Sequence, residues 1–142
     1  MPQIVAEIKG LADIPEELYI RYGRLAAGLR ACQTENGLWP TVLNRPDYML
    51  ETSGSAGIAC GFIRGVRGGL LEPAYLAYAE QAIGGILPLI REDGEVQGVS
   101  GGTPVMPSEA AYNEIPVYPS LYGQGLTMQL LTQALSLSGG RI

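Results

Sequence analysis

At 142 residues, 46% of them hydrophobic, the chain is long enough for one domain with its own core. Nine Lys and Arg against 14 Asp and Glu give a net charge of −5 with no basic cluster, which argues against nucleic acid and anionic membrane surfaces as partners. Histidine is absent, so Ser-His and Cys-His catalysis, histidine zinc sites and a histidine general base are excluded together.

The two cysteines, Cys32 and Cys60, fall within apolar helical patterns without metal-ligand spacing and are expected to be buried free thiols. The first residues carry Glu7, Lys9 and Asp13 in place of an apolar segment, and no apolar run reaches the length of a bilayer span. A reducing, cytoplasmic location without a membrane contact is the expectation.

In chain order, Met1–Lys9 is a short candidate helix closed by Gly10. Asp13-Ile-Pro-Glu16 sets an acid three residues before a glutamate, with proline in the first turn, which predicts a capping-box start. Leu18, Tyr22, Leu25, Ala26, Leu29 and Cys32 then recur at helical spacing and predict one apolar stripe, ending before Asn36-Gly37.

The stretch from Gly37 to Gly57 holds the only Trp, a carboxylate and a Ser/Thr/Gly cluster that opens into an apolar run. Thr52 or Ser53 is predicted to cap a helix running to about Arg67 and closed by Gly68-Gly69. Gly54, Gly57, Gly61 and Gly65 share one side of it. Each costs up to about 1 kcal/mol of helix propensity relative to Ala, which close packing along that side is expected to offset.

Pro73 opens a third predicted helix with Leu76, Ala79, Ile83, Leu87 and Ile90 on its face and a break near Pro88. Glu92 to Val99 reads as a turn into a short extended piece, and Ser100 to Pro119 as a long loop of functional character. Leu126, Leu130, Gln133, Ala134 and Leu137 predict a last helix, with Ser138 to Ile142 as a loose end. Glu35-Asn36-Gly37 and Glu92-Asp93-Gly94 each follow an amphipathic helix and each precede a Val at the same distance, Val42 and Val99. A helix, a turn, a loop and a second helix, repeated, is the plan of helical-hairpin arrays and α/α toroids.

These residues also carry a resemblance. Glu35 to Leu43, Pro46 to Ala56, Gly65 to Leu71, Gly94 to Val99 with Gly102-Thr103, and Pro116-Val117-Tyr118, in that order, resemble the C-terminal part of the unsaturated rhamnogalacturonyl and glucuronyl hydrolases, glycoside hydrolase families 105 and 88. The similarity covers roughly residues 16 to 137. It implies an all-α fold, a partial (α/α) six-hairpin toroid of about half the barrel, as a single domain over residues 1–142.

The resemblance further implies removal of an unsaturated uronic acid from an oligosaccharide, with an Asp protonating the ring double bond and then activating water. That Asp, and the His, Arg and Trp residues that accompany it, belong to the family's N-terminal part and have no counterpart here. No catalytic residue is therefore assigned, and Asp47 and Asp93 are not promoted to that role. No metal or cofactor is implied.

What remains is a supporting wall whose candidate substrate-binding residues are Trp39, Ser53, Gly102, Thr103 and Tyr112. Each has a structural alternative: Trp39 as core, Ser53 as helix cap, Gly102-Thr103 as a turn, Tyr112 and the neighbouring Tyr118 as packing. Glu51 reads as a solvated or helix-end carboxylate. The expected activity is that of a glycoside hydrolase-like segment without its own acid/base. The alternatives are a carbohydrate-binding or oligomerisation module, or a truncated gene product. The expected partners are an unsaturated uronic-acid oligosaccharide and either a second copy of the chain or a missing N-terminal half. The candidate contact patches are Leu18, Tyr22, Leu25 and Leu29, or Leu126, Leu130 and Leu137.

Overall fold

Apolar spacing near 3.6 residues, interrupted by Gly and Pro, resolves into six α-helices in the computed structural model, which describes residues 1–8 and 10–137. They are α1 (Pro2–Ile8), α2 (Glu16–Ala31), α3 (Thr52–Arg67), α4 (Tyr75–Ile86), α5 (Glu109–Asn113) and α6 (Leu121–Leu137). Among the described residues there is no strand, only isolated bridges pairing Pro40 with Leu50, Ile90 with Val96, and Ser100 with Val117. No helix among them is long and apolar enough to cross a membrane. The expected loose end at Ser138 to Ile142, and Lys9, lie outside the described residues.

The predicted capping box does not form. Pro15 is extended (φ −57°, ψ 134°) immediately before Glu16, so the helix starts after the proline and leaves Asp13 outside it; no side chain caps α2. Glu16 and Glu17 instead place negative charge at its positive end. The stripe is also narrower than predicted: Tyr22 and Ala26 are buried, while Leu18 and Leu25 are exposed. The start of α3 differs in the same way. Thr52 and Ser53 are its first two residues, and Glu51, extended at φ −109°, is the cap. Its carboxylate accepts the amides of Ser53 and Gly54.

Helix α3 is the centre of the molecule, with α4 packed on one side and α6 on another. Ala56, Ala59, Phe62 and Ile63 are fully enclosed on it. The single Trp and single Phe meet there, Trp39 edge-on to Phe62 (5.9 Å, 76°) and Phe62 edge-on to Tyr75 of α4 (5.1 Å, 69°). Pro88 ends α4 as predicted, in a 3-10 turn over Leu87–Leu89. The buried face of α4 is Tyr75, Ala79, Ala82 and Ile86, one step round from the predicted stripe, and Leu87 points outward.

The glycine side of α3 splits in two. A methyl group on Gly65 would meet Tyr22 Oη at 2.5 Å and Leu71 Cδ1 at 2.7 Å, so close packing explains that glycine. Gly61 has nothing within 4 Å and Gly57 only Leu126 Cδ2 at 3.9 Å. There α1 and α6 stand back and leave a groove of about 490 Å³ over Gly57, Cys60 and Gly61. The expectation of close packing along the whole stripe is therefore corrected: it holds at Gly65 alone among these three.

The sequence echo is an echo in hydrogen bonds. In the first hairpin Thr34 N–H donates to Leu38 O (3.0 Å) and Gly37 N–H to Thr34 O (2.9 Å). At the same offset in the second, Arg91 N–H donates to Glu95 O (3.0 Å) and Gly94 N–H to Arg91 O (2.9 Å). Gly37 (φ +81°) and Gly94 (φ +85°) hold the left-handed position each turn requires. Just beyond, Trp39 N–H is taken by Ser55 Oγ on α3, and Val96 N–H by Gln124 Oε1 on α6. Helices α2 and α3 form one repeat and α4 and α6 the next, the second enlarged by the loop that carries α5.

The predicted contact patches do not survive as drawn, because Tyr22 and Leu130 are buried against α3 and its neighbours. The outward large apolar side chains of α6 are Leu121, Tyr122, Met128, Leu135 and, of the predicted patch, Leu137.

Candidate functional site

Four pieces of chain converge where α3 begins: the turn from Trp39 to Leu43, the first turn of α3, the loop start at Ser100 to Thr103, and α5. They enclose a pocket of about 320 Å³. Its floor is made by Glu51, Ser55 and the edge of Trp39, its apolar wall by Leu43 and Ile58, and its outer rim by Thr103 and Tyr112.

The floor is tightly bonded. Glu51 Oε1 accepts Ser53 N–H (3.2 Å) and Ser100 N–H (3.0 Å), Oε2 accepts Gly54 N–H, and Ser53 Oγ donates to the carboxylate at 2.8 Å. Ser55 Oγ donates to Glu51 O (2.7 Å) while accepting Trp39 N–H (2.9 Å). The rim is looser. Tyr112 Oη accepts Met106 N–H at 3.2 Å, and exposed Thr103 reaches Gly101 O at 3.4 Å.

Across the rim lies a charged knot. Arg45 donates twice to Asp47 (3.2 and 3.1 Å) and once to Glu109 of α5 (2.7 Å), with its guanidinium 4.2 Å from the centre of the Tyr48 ring. The hydrogen bonds from Arg45 hold the Asp47 carboxyl below the usual carboxylate range, and Asp47 and Glu109 raise Arg45 in turn. Beside them Met49 N–H donates to Asn113 Oδ1 at 2.6 Å.

Of the predicted binding residues, Trp39, Thr103 and Tyr112 come together in this pocket. Ser53 and Gly102 do not line it: Ser53 is turned to Glu51, and Gly102 is exposed on the loop. Stacking of a sugar on Trp39 is excluded by burial, since the residue is 1% exposed and its indole N–H is spent on Leu29 O at 2.6 Å. Ser100 and Thr41 were absent from the predicted binding residues, and Glu51 was expected only as a solvated or helix-end carboxylate. The one local sign for Glu51 was its place directly before Thr-Ser-Gly at a helix start, where an acid satisfies the free amides. Among the described residues no cluster of three or more His, Cys, Asp or Glu could hold a metal ion.

The model of Glycosyl Hydrolase Family 88 matches residues 16–138. The chain belongs to this family. As a family 88 chain it is 38% identical over 105 residues to the unsaturated rhamnogalacturonyl hydrolase YesR of Bacillus subtilis (strain 168), covering 72% of this chain and 28% of that protein. A possible member of the GH105 family from Klebsiella pneumoniae superposes with a TM-score of 0.85 at 32% identity, over 96% of this chain and 36% of that one. Its counterpart from Salmonella enterica gives 0.83 at 35% identity, over 96% and 37%. The two hairpins are thus an arc of the family's α/α toroid, and the chain spans well under half the length of each of these relatives.

Proposed function

We propose that this family 88 chain forms part of the wall of a sugar-binding cleft, takes a residue of an unsaturated uronic-acid oligosaccharide in the pocket between Thr41 and Tyr112, and does not itself supply the acid and base of glycoside cleavage. The observation that carries this reading is the state of Glu51. Among the described residues it is the only carboxylate that lines the pocket, and both of its oxygens are occupied by three backbone amides and a hydroxyl. A general acid must give up a proton to the reacting group and take it back. Glu51 could do so only by breaking the cap of α3.

The remaining lining suits binding: hydroxyls at Thr41, Ser100, Thr103 and Tyr112 beside the apolar sides of Leu43 and Ile58. The relationship to a rhamnogalacturonyl hydrolase supports the class of sugar. The test is to incubate the chain with unsaturated rhamnogalacturonyl disaccharide and follow the ultraviolet absorbance of the ring double bond, with binding measured in parallel by calorimetry. Binding without loss of absorbance is the expected result. Turnover that Glu51→Gln abolishes would overturn it.

A second reading, an assembly module, is favoured by the outward row of Leu121, Met128 and Leu135 at heptad spacing on α6. A homo-oligomer through that row predicts a mass above the 15.1 kDa monomer in sedimentation.

A further inference from the structure

The pocket has one rigid side and one side held by few bonds. The rigid side is α3, whose first turn is capped by Glu51 and fastened to Ser100. The other is α5, a helix of five residues within the long loop, which brings Tyr112 to the rim. Behind α5 the chain is anchored again where Ile115 is buried, Gly101 N–H meets Pro116 O and Tyr118 N–H meets Val99 O. Between those anchors α5 is tied to the opposite wall of the pocket at two places only among the described residues: Arg45 to Glu109, and Met49 N–H to Asn113 Oδ1.

Arg45 is built for this. Two parallel bonds to Asp47 and the Tyr48 ring beneath the guanidinium fix its orientation before Glu109 is engaged. A long side chain usually loses rotamer freedom when it forms an ion pair, which is why most surface pairs contribute little. Here that freedom is already spent, and the third nitrogen, Nη1, is presented to Glu109 at 2.7 Å. The loop from Thr41 to Met49 carries Thr41 and Leu43 into the pocket, while α5 carries Tyr112. One guanidinium therefore joins the two walls that face each other across the opening.

We infer that Arg45 is a positioning residue for the pocket: by clasping Glu109 it holds α5, and with it Tyr112, against the rim, so that the width of the opening and the affinity for an oligosaccharide depend on this ion pair. The inference rests on the sugar-binding reading given above and adds to it how the site is closed. The pair is partly exposed, its side chains retaining 40% and 48% of their accessibility, so salt weakens it.

The experiment uses the full chain with Glu109→Ala, Glu109→Asp and wild type. Glu109 is on the surface, so folding is expected to be intact in both variants. Hydrogen exchange reads the clasp without any ligand: the amides of residues 109–113 should exchange roughly two- to fivefold faster in Glu109→Ala, the size of a surface ion pair, while those of α3 do not change. Affinity for unsaturated rhamnogalacturonyl disaccharide should fall by a similar factor at low salt, and Glu109→Asp should recover part of it. At about 1 M salt, where the screening length is about 3 Å, wild type and Glu109→Ala should converge. A simple packing role for residue 109 would leave a difference that salt does not remove. Unchanged exchange at 109–113, or disaccharide binding that Glu109→Ala leaves untouched at low salt, overturns the clasp alone. Absence of any disaccharide binding by wild type, with exchange altered as expected, overturns the sugar reading of the pocket and the affinity part of the inference with it.

Discussion

Glu51 Oε1 accepts the Ser100 amide at 3.0 Å across 49 positions of chain. Glu51 ends the turn of the first hairpin and Ser100 begins the loop of the second, so a single carboxylate caps α3 and fastens the two repeats to each other at the pocket floor. Replacing it with Ala leaves the first-turn amides of α3 and that of Ser100 without a partner. A loss of about 1–2 kcal/mol is expected, read from the denaturant midpoint. A variant that unfolds at the wild-type midpoint would show that the cap contributes nothing.

The glycines of α3 predict opposite signs for the same substitution. At Gly61 there is open space, so Gly61→Ala should raise stability by about 0.5–1 kcal/mol through helix propensity. At Gly65 the new methyl meets the Tyr22 hydroxyl, itself held by its bond to Gly61 O at 2.9 Å, and Leu71. Overpacking of about 1–3 kcal/mol outweighs the gain there, for a net loss of about 1 kcal/mol. Equal melting temperatures for the two variants would refute the division of that face.

Equivalent turns need not be equally tolerant. Both Gly37 and Gly94 sit at positive φ, which costs an L-residue about 1–2 kcal/mol. A methyl at Gly94 meets nothing within 4 Å, whereas at Gly37 it would lie 2.2 Å from the Gln81 carbonyl oxygen. Gly94→Ala should therefore lose only the backbone term and Gly37→Ala the sum of the two costs, about 2–5 kcal/mol. Calorimetric melting of the pair decides it.

Alkaline titration should single out Tyr22. Burial first, and Tyr75 second, push its phenol from 10.0 up to about 12. The unfolded chain then loses this proton near pH 10 and the folded chain only near 12, so the contribution is intact below pH 10 and is lost between pH 10 and 12. Tyr22→Phe should be less stable at neutral pH, having lost the bond to Gly61 O, and should fall less steeply than wild type above pH 10. Parallel stability curves for the two proteins would contradict the burial of that hydroxyl.

How much of the site could be read beforehand depended on how local its causes were. Tyr112 and Thr103 were legible as polar and aromatic groups on a loop too long to be a simple connection, and they do meet in the pocket. Trp39 drew attention as the single indole beside a helix start, but an aromatic ring reads the same in sequence whether it faces a ligand or Phe62. Glu51 was legible as a helix-end carboxylate and not as the group that joins two hairpins, because Ser100 reaches it only after both hairpins have packed.

The sequence by itself determined that the chain is helical, that α4 breaks at Pro88, that the turns at Gly37 and Gly94 repeat, and that the motifs are those of family 88. Each of these depends on residues close in the chain: apolar spacing, a ring without an amide hydrogen, a glycine at positive φ. Only the tertiary structure decided which glycines of α3 are packed, which face of α2 is covered, which carboxylate caps α3 and which carboxylates Arg45 bonds. Those outcomes depend on what another element places within about 4 Å, a distance at which dispersion and hydrogen bonding act and over which spacing along the chain carries no information.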